Sequence, residues 1–132
     1  MRTKTIRQSV TFKANPHDVY EAIMDSRKHS AITGSKVRIS RKIGGKFSVY
    51  AGDIEGVNLA LVPNQKIVQS WRYGDWPKNH YSKATFSLKE IPTGTRLTFT
   101  QTEVPEEFYN DIDQGWRDYY WGPMKEMLEK KG

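Results

Sequence analysis

There is no cysteine among the 132 residues. Disulfides, thiolate catalysis and Cys-based zinc sites are therefore excluded, and a reducing compartment is compatible with the composition. No apolar run approaches the ~20 residues that a membrane-spanning helix needs, so no membrane partner is expected. Gly-x-Ser-x-Gly, a phosphate-cradling glycine loop and a paired-carboxylate motif are all missing. The three histidines, His17, His29 and His80, fall at none of the short spacings that put two ligands on one helical face. They read as solvated or capping residues, and neither a metal nor a cofactor is expected. Met1-Arg2-Thr3-Lys4-Thr5 leads straight into alternating residues, so no secretory leader is expected and the cytoplasm is the expected location.

What is present points to one packed domain spanning 1–132. Aromatics make up 12% and include 4 Trp, too many for a chain that never forms a core. The length suits a single core, and no repeat, linker or low-complexity segment interrupts it. Charge is unevenly placed. Lys and Arg number 21 against 15 Asp and Glu, a formal net charge of +6. Residues 27–52 carry seven bases and no acid, whereas 103–118 carry six acids and one base. The basic stretch lacks the interleaved aromatics that stack on bases, so nucleic acid is not an expected partner. Lys36, Arg38, Arg41, Lys42 and Lys46 form a candidate docking stripe for an acidic protein face. The competing reading is two ordinary solvated faces.

Hydrophobic periodicity sets out the elements. Thr3 to Phe12 alternates, with Ile6, Val10 and Phe12 on one face. Asn15-Pro16 reads as a helix start, with Val19, Tyr20, Ile23 and Met24 on one side. Ser26 is expected to cap a second short helix that Gly34 ends. Six strands follow: around Val37 and Ile39; around Phe47 and Val49; from Asp53 to Val62 with Ile54, Val57, Leu59 and Leu61; at Ile67, Trp71 and Tyr73; at Ala84, Phe86 and Leu88; and at Leu97 and Phe99. Gly44-Gly45, Pro63-Asn64 and Pro92-Thr93-Gly94 are the turns between them. Asp53 and Glu55 are expected on a shared outward face.

After Val104-Pro105 the period becomes helical. At 100° per residue, Ile112, Trp116, Tyr119, Tyr120, Pro123, Met124 and Met127 share one broad face, opposite Asp118, Lys125 and Glu129. Pro123 should break the backbone hydrogen bonding and kink this helix. The predicted architecture is α+β, with a curved antiparallel sheet of about seven strands wrapped around a long C-terminal helix. Trp71, Tyr73 and Trp76, with Trp116, Tyr120 and Met124, are candidates to line a pocket for a small apolar ligand. The competing reading is ordinary core filling. An enzyme built on that cavity is a further reading, but no catalytic residue can be named.

Certain ordered segments carry a family resemblance. They are Asn15-Pro16 with Val19-Tyr20, Gly44-Gly45-Lys46-Phe47, Gly52 through Gly56, Leu61-Val62-Pro63, Ile67-Val68, Trp71-Arg72, Trp76-Pro77, Gln101 and Val104-Pro105. The run Gly115-Trp116-Arg117-Asp118-Tyr119-Tyr120-Trp121 is the most specific. With these the chain resembles the C-terminal-type domain of the activators of the 90 kDa heat shock protein ATPase, in the helix-grip (START-like) superfamily. The resemblance implies a helix-grip fold and a non-catalytic binding domain, a co-chaperone or stress-response protein whose partner is that chaperone. In the two-domain activators this kind of domain is the second, and a chain of this length is expected to hold that one alone. Stand-alone relatives imply the alternative, a carrier or sensor of a small apolar ligand.

Overall fold

A computed structural model describes residues 1–129. Strand β1 (Thr3–Phe12) leads into helix α1 (Pro16–Met24). The Asn15 side chain accepts the Asp18 N–H at 2.8 Å, and Pro16 occupies the first turn, where a missing N–H costs no helical bond. Helix α2 (Ser26–Thr33) is capped by Asp25 rather than by Ser26. The Asp25 carboxylate accepts the Lys28 N–H at 3.0 Å, a bond that holds its pKa below the ordinary value. Ser26 instead opens the helix, and its hydroxyl accepts the Ile39 N–H at 3.0 Å. Gly34 ends α2 with φ 70, a left-handed turn that a side chain disfavours.

Six strands then follow: β2 (Val37–Ile39), β3 (Lys46–Val49), β4 (Ile54–Val62), β5 (Lys66–Tyr73), β6 (Ser82–Ile91) and β7 (Gly94–Pro105). All pairs are antiparallel, and the sheet order is β1-β7-β6-β5-β4-β3-β2. Consecutive strands are neighbours, while β1 reaches the far edge because α1 and α2 carry the chain across. Register shifts between Lys4 and Ile6 and between Asn58 and Ala60 add local twist and bend. The apolar residues of β4 do not share one face, and the second shift turns Leu61 rather than Ala60 back toward the core. Ile54, Gly56 and Asn58 point inward, and Leu59 is 46% exposed. Gly56 is needed because a Cβ there would run into the Ser70 carbonyl oxygen and come within 2.8 Å of the Phe47 ring.

The chain is helical again from Glu106 to Glu129: a 3-10 turn, α3 (Tyr109–Trp116), a π-helical turn (Arg117–Trp121) and α4 (Gly122–Glu129). The interruption expected at Pro123 is present as this π turn just before it. Gly122 N–H reaches back five residues to the Arg117 carbonyl, a π-type bond. The wider turn shifts the phase of the wheel. Trp121, which regular spacing places opposite Trp116, is buried, and Tyr119 is 59% exposed.

The sheet curves around this helix, and the core lies between them. Trp116 packs against Phe99 (ring centroids 4.4 Å), Tyr120 (4.6 Å) and Trp71 (5.7 Å), and stacks on Trp121 at 5.5 Å. Among the described residues, no helix is long and apolar enough to cross a membrane.

Candidate functional site

Two indole N–H groups on the C-terminal helix must find acceptors inside the core, and two glutamines on the sheet supply them. Trp116 Nε1 donates to Gln101 Oε1 at 2.8 Å, Gln101 Nε2 donates to Ser82 Oγ at 2.9 Å, and that hydroxyl donates to the Trp71 carbonyl at 2.8 Å. Trp121 Nε1 donates to Gln8 Oε1 at 2.6 Å, while Gln8 Nε2 donates to the Asp113 carbonyl at 2.8 Å. These bonds fix the rotation of the helix over β1 and β7, and so decide which aromatics face the open end of the grip.

At that end lies a cavity of about 510 Å³ between α3, the π turn, the Tyr50–Gly52 turn and strands β4 and β5. Trp71, Trp116 and Tyr120 form its buried floor, and Tyr50, Tyr73 and Tyr119 its walls. Tyr50 and Ala51 have φ of 54 and 56, a strained pair for residues with side chains, and this turn sets Tyr50 on the wall. Burial pushes the Tyr50 phenol above its ordinary pKa, and does so far more strongly for Tyr120. Both are neutral hydrogen-bonding groups at physiological pH. Of the residues singled out in the sequence, Trp71, Tyr73, Trp116 and Tyr120 therefore meet at one cavity. Trp76 and Met124 lie outside its lining. Trp76 is buried against Trp71 at 5.4 Å, and Met124 is fully buried in the core.

His29 corrects the reading of the histidines as solvated or capping. It is buried, with Nδ1 2.9 Å from the Ile23 carbonyl and Nε2 3.0 Å from Tyr120 Oη. The carbonyl requires the proton on Nδ1, so Nε2 accepts from the phenol. Burial lowers the His29 pKa. The imidazole is a neutral bridge from α2 to the floor of the cavity. Among the described residues no three His, Asp or Glu side chains converge as a metal ion would require.

The five bases singled out as a stripe are exposed on the β2–β3 hairpin. Arg41 turns to α1 and pairs with Glu21 at 2.5 Å. On the outward side, Arg38, Ser48, Glu55 and Arg72 follow one another across β2 to β5. Glu55 thus faces outward as expected, and accepts the Tyr81 hydroxyl proton at 2.5 Å. Asp53 instead lines the cavity. The hairpin loop is anchored by Asn58, fully buried on β4. Its Nδ2 donates to the Ser40 and Lys42 carbonyls at 2.7 and 3.0 Å, its backbone bonds Gly44 and Gly45, and Gln69 Nε2 donates to its Oδ1 at 3.0 Å. Beside the loop runs a groove of about 640 Å³ whose walls include Tyr20, Met24, Arg41, Lys42 and Ile43, the last 67% exposed.

Sequence reading missed Asn58, Gln8, Gln101 and Gln69 as organising residues. Each is a polar residue at an inward position of an alternating strand, and that interruption was the available signal.

A seven-stranded curved antiparallel sheet closed on a long C-terminal helix, with two short helices after the first strand, defines a helix-grip protein. The chain belongs to the family of activator of Hsp90 ATPase homolog 1-like proteins, whose model matches residues 13–129. The activator of 90 kDa heat shock protein ATPase homolog of Dictyostelium discoideum is 37% identical over 117 residues, 87% of this chain and 30% of that protein. The human activator homolog 1 is 28% identical over 118 residues, 89% of this chain and 35% of that protein. The chain therefore spans about a third of the length of these curated relatives. The crystal structure of an HSP90 activator from Plasmodium falciparum superposes with a TM-score of 0.89 at 22% identity, covering 95% of this chain and 96% of that one.

Proposed function

We propose that this chain is a non-catalytic, cytoplasmic binding domain that docks an acidic face of a 90 kDa heat shock protein-type chaperone. The observation that carries the reading is the β2–β3 hairpin: Lys36, Arg38, Arg41, Lys42 and Lys46 stand exposed along it, and its loop, which carries Arg41 and Lys42, is held by buried Asn58. A loop fixed before contact loses little conformational freedom on binding. The adjoining groove adds exposed apolar surface at Ile43, and such a patch rimmed by charge suits a protein partner. Family membership supplies the candidate partner.

The test is binding of the purified chain to such a chaperone at low and high salt, with the chaperone's ATPase rate followed in parallel. The complex is expected to weaken as salt rises, and Lys42→Glu with Lys46→Glu to cost about tenfold or more in affinity. Affinity indifferent to both salt and charge reversal would overturn the docking stripe.

The cavity favours a second reading, a carrier or sensor of a small ligand. About 510 Å³ bounded by aromatic side chains is the size and character of many small-molecule sites. Native mass spectrometry of the purified protein tests it through a co-purifying mass.

A further inference from the structure

The chain as a whole carries a net charge of +6, yet the lining of the aromatic cavity contains no Lys, Arg or His and three aspartates, Asp53, Asp75 and Asp111. Resting on the reading of this cavity as a ligand site, we propose that its occupant is a flat organic cation, with an aromatic body and a protonated or quaternary nitrogen.

The three carboxylates come from separate parts of the fold. Asp53 precedes β4, Asp75 follows β5 and Asp111 lies in the first turn of α3. All three are exposed, so they stand at the rim, above a floor of Trp71, Trp116 and Tyr120. Among the described residues, none of these carboxylates takes part in an ion pair or accepts a side-chain hydrogen bond; the two ion pairs present are Arg41–Glu21 and Arg117–Asp113. Arg72, next in the chain to Tyr73, is committed elsewhere. Its Nη2 donates to the Trp76 carbonyl at 2.8 Å.

Uncompensated negative charge around the mouth of a low-dielectric cleft focuses potential on whatever enters it. An anion or a carboxylate-bearing lipid meets repulsion there. A point cation is not favoured either, because the carboxylates do not converge as metal ligands do. An organic cation satisfies both halves of the site. Its flat body covers the indole faces, and its nitrogen meets the rim carboxylates and the electron-rich faces of the tyrosines.

The test uses three probes with one naphthalene body: 2-naphthylmethylammonium, 2-naphthylmethanol and 2-naphthoate. Binding is followed by the indole N–H resonances of Trp71 and Trp116, with the backbone amides of β1, none of whose residues lines the cavity, as the reference. The ammonium probe is expected to bind about tenfold or more tightly than the alcohol, and the preference to shrink with salt. Combined Asp53→Asn, Asp75→Asn and Asp111→Asn is expected to abolish the preference while leaving alcohol affinity within about twofold. Equal or tighter binding of the alcohol or the naphthoate overturns the cation inference and leaves the ligand cavity standing. No shift with any probe overturns both. The probe comparison on the unaltered protein decides the matter even if the triple variant folds poorly.

Discussion

His29 Nε2 and the Tyr120 hydroxyl, 91 positions apart in the chain, sit 3.0 Å from each other with both residues buried. The bond ties α2 to the π turn, and it works with a neutral imidazole because Nδ1 already donates to the Ile23 carbonyl. Burial lowers the folded-state pKa from an unfolded value of 6.5. As pH falls below that value the unfolded chain takes up a proton that folded His29 refuses. Stability contributed by neutral His29 is therefore complete above the unfolded pKa and is lost as pH falls toward the folded one. Urea midpoints measured from about pH 7.5 to 5.5 should decline on acidification, and decline less in His29→Gln. Identical slopes in the two proteins would rule out His29 as the source.

Among the described residues, Gln101 alone accepts a hydrogen bond from the Trp116 indole. Gln101→Leu leaves that buried N–H unpaired and removes the bond to Ser82. The expected cost is about 1–3 kcal/mol in urea unfolding. A change below about 0.5 kcal/mol would mean that the network contributes little beyond shape.

Asn58→Ala withdraws both side-chain bonds to the 40–42 carbonyls and strands the Gln69 amide. Trypsin should cut after Arg41 and Lys42 markedly faster than in the unaltered protein under native conditions, because proteolysis follows local opening. Chaperone binding, if it uses this loop, should weaken with it. Unchanged cleavage would show that the backbone bonds to Gly44 and Gly45 suffice.

Gly56→Ala forces a methyl group into the Ser70 carbonyl oxygen of the neighbouring strand. The nearest atoms are Ser70 backbone, which cannot swing aside, and the buried Phe47 ring closes the other side, so a loss of about 3 kcal/mol or a failure to fold is expected. Circular dichroism with thermal unfolding checks it. A melting temperature equal to that of the unaltered protein would contradict the close strand approach.

Much of this protein is legible from residue order, because local signals are short-ranged. Asn15-Pro16 starts a helix by capping geometry, Gly34 stops one by its φ, and period-two runs mark strands whose inner faces are apolar. The aromatic run after Val104 shows that one helix is to be covered by the sheet. Trp71, Tyr73, Trp116 and Tyr120 are visible as a possible cavity for the same reason: large rings at the correct spacing must meet something.

Phase errors are where local reading fails. A constant 100° per residue puts Trp121 outside and Tyr119 inside, and a π turn reverses both. Alternation through Ile54, Gly56 and Asn58 puts Ala60 inside, and the shift after Asn58 turns Leu61 to the core in its place. Each irregularity adds or removes a fraction of a turn, so every later side chain rotates with it.

By itself the sequence determined the order of elements, the α+β class, the single aromatic helix and the concentration of positive charge on one hairpin, all of which follow from neighbours in the chain. Only the tertiary structure decided that Gln8 and Gln101 receive the indole protons, that His29 is buried against Tyr120, and that Asp53, Asp75 and Asp111 gather at one rim. Those partners are separated by tens of residues, and no periodicity links them. Their meeting depends on strand register and on the rotation of one helix, which the packed core sets as a whole.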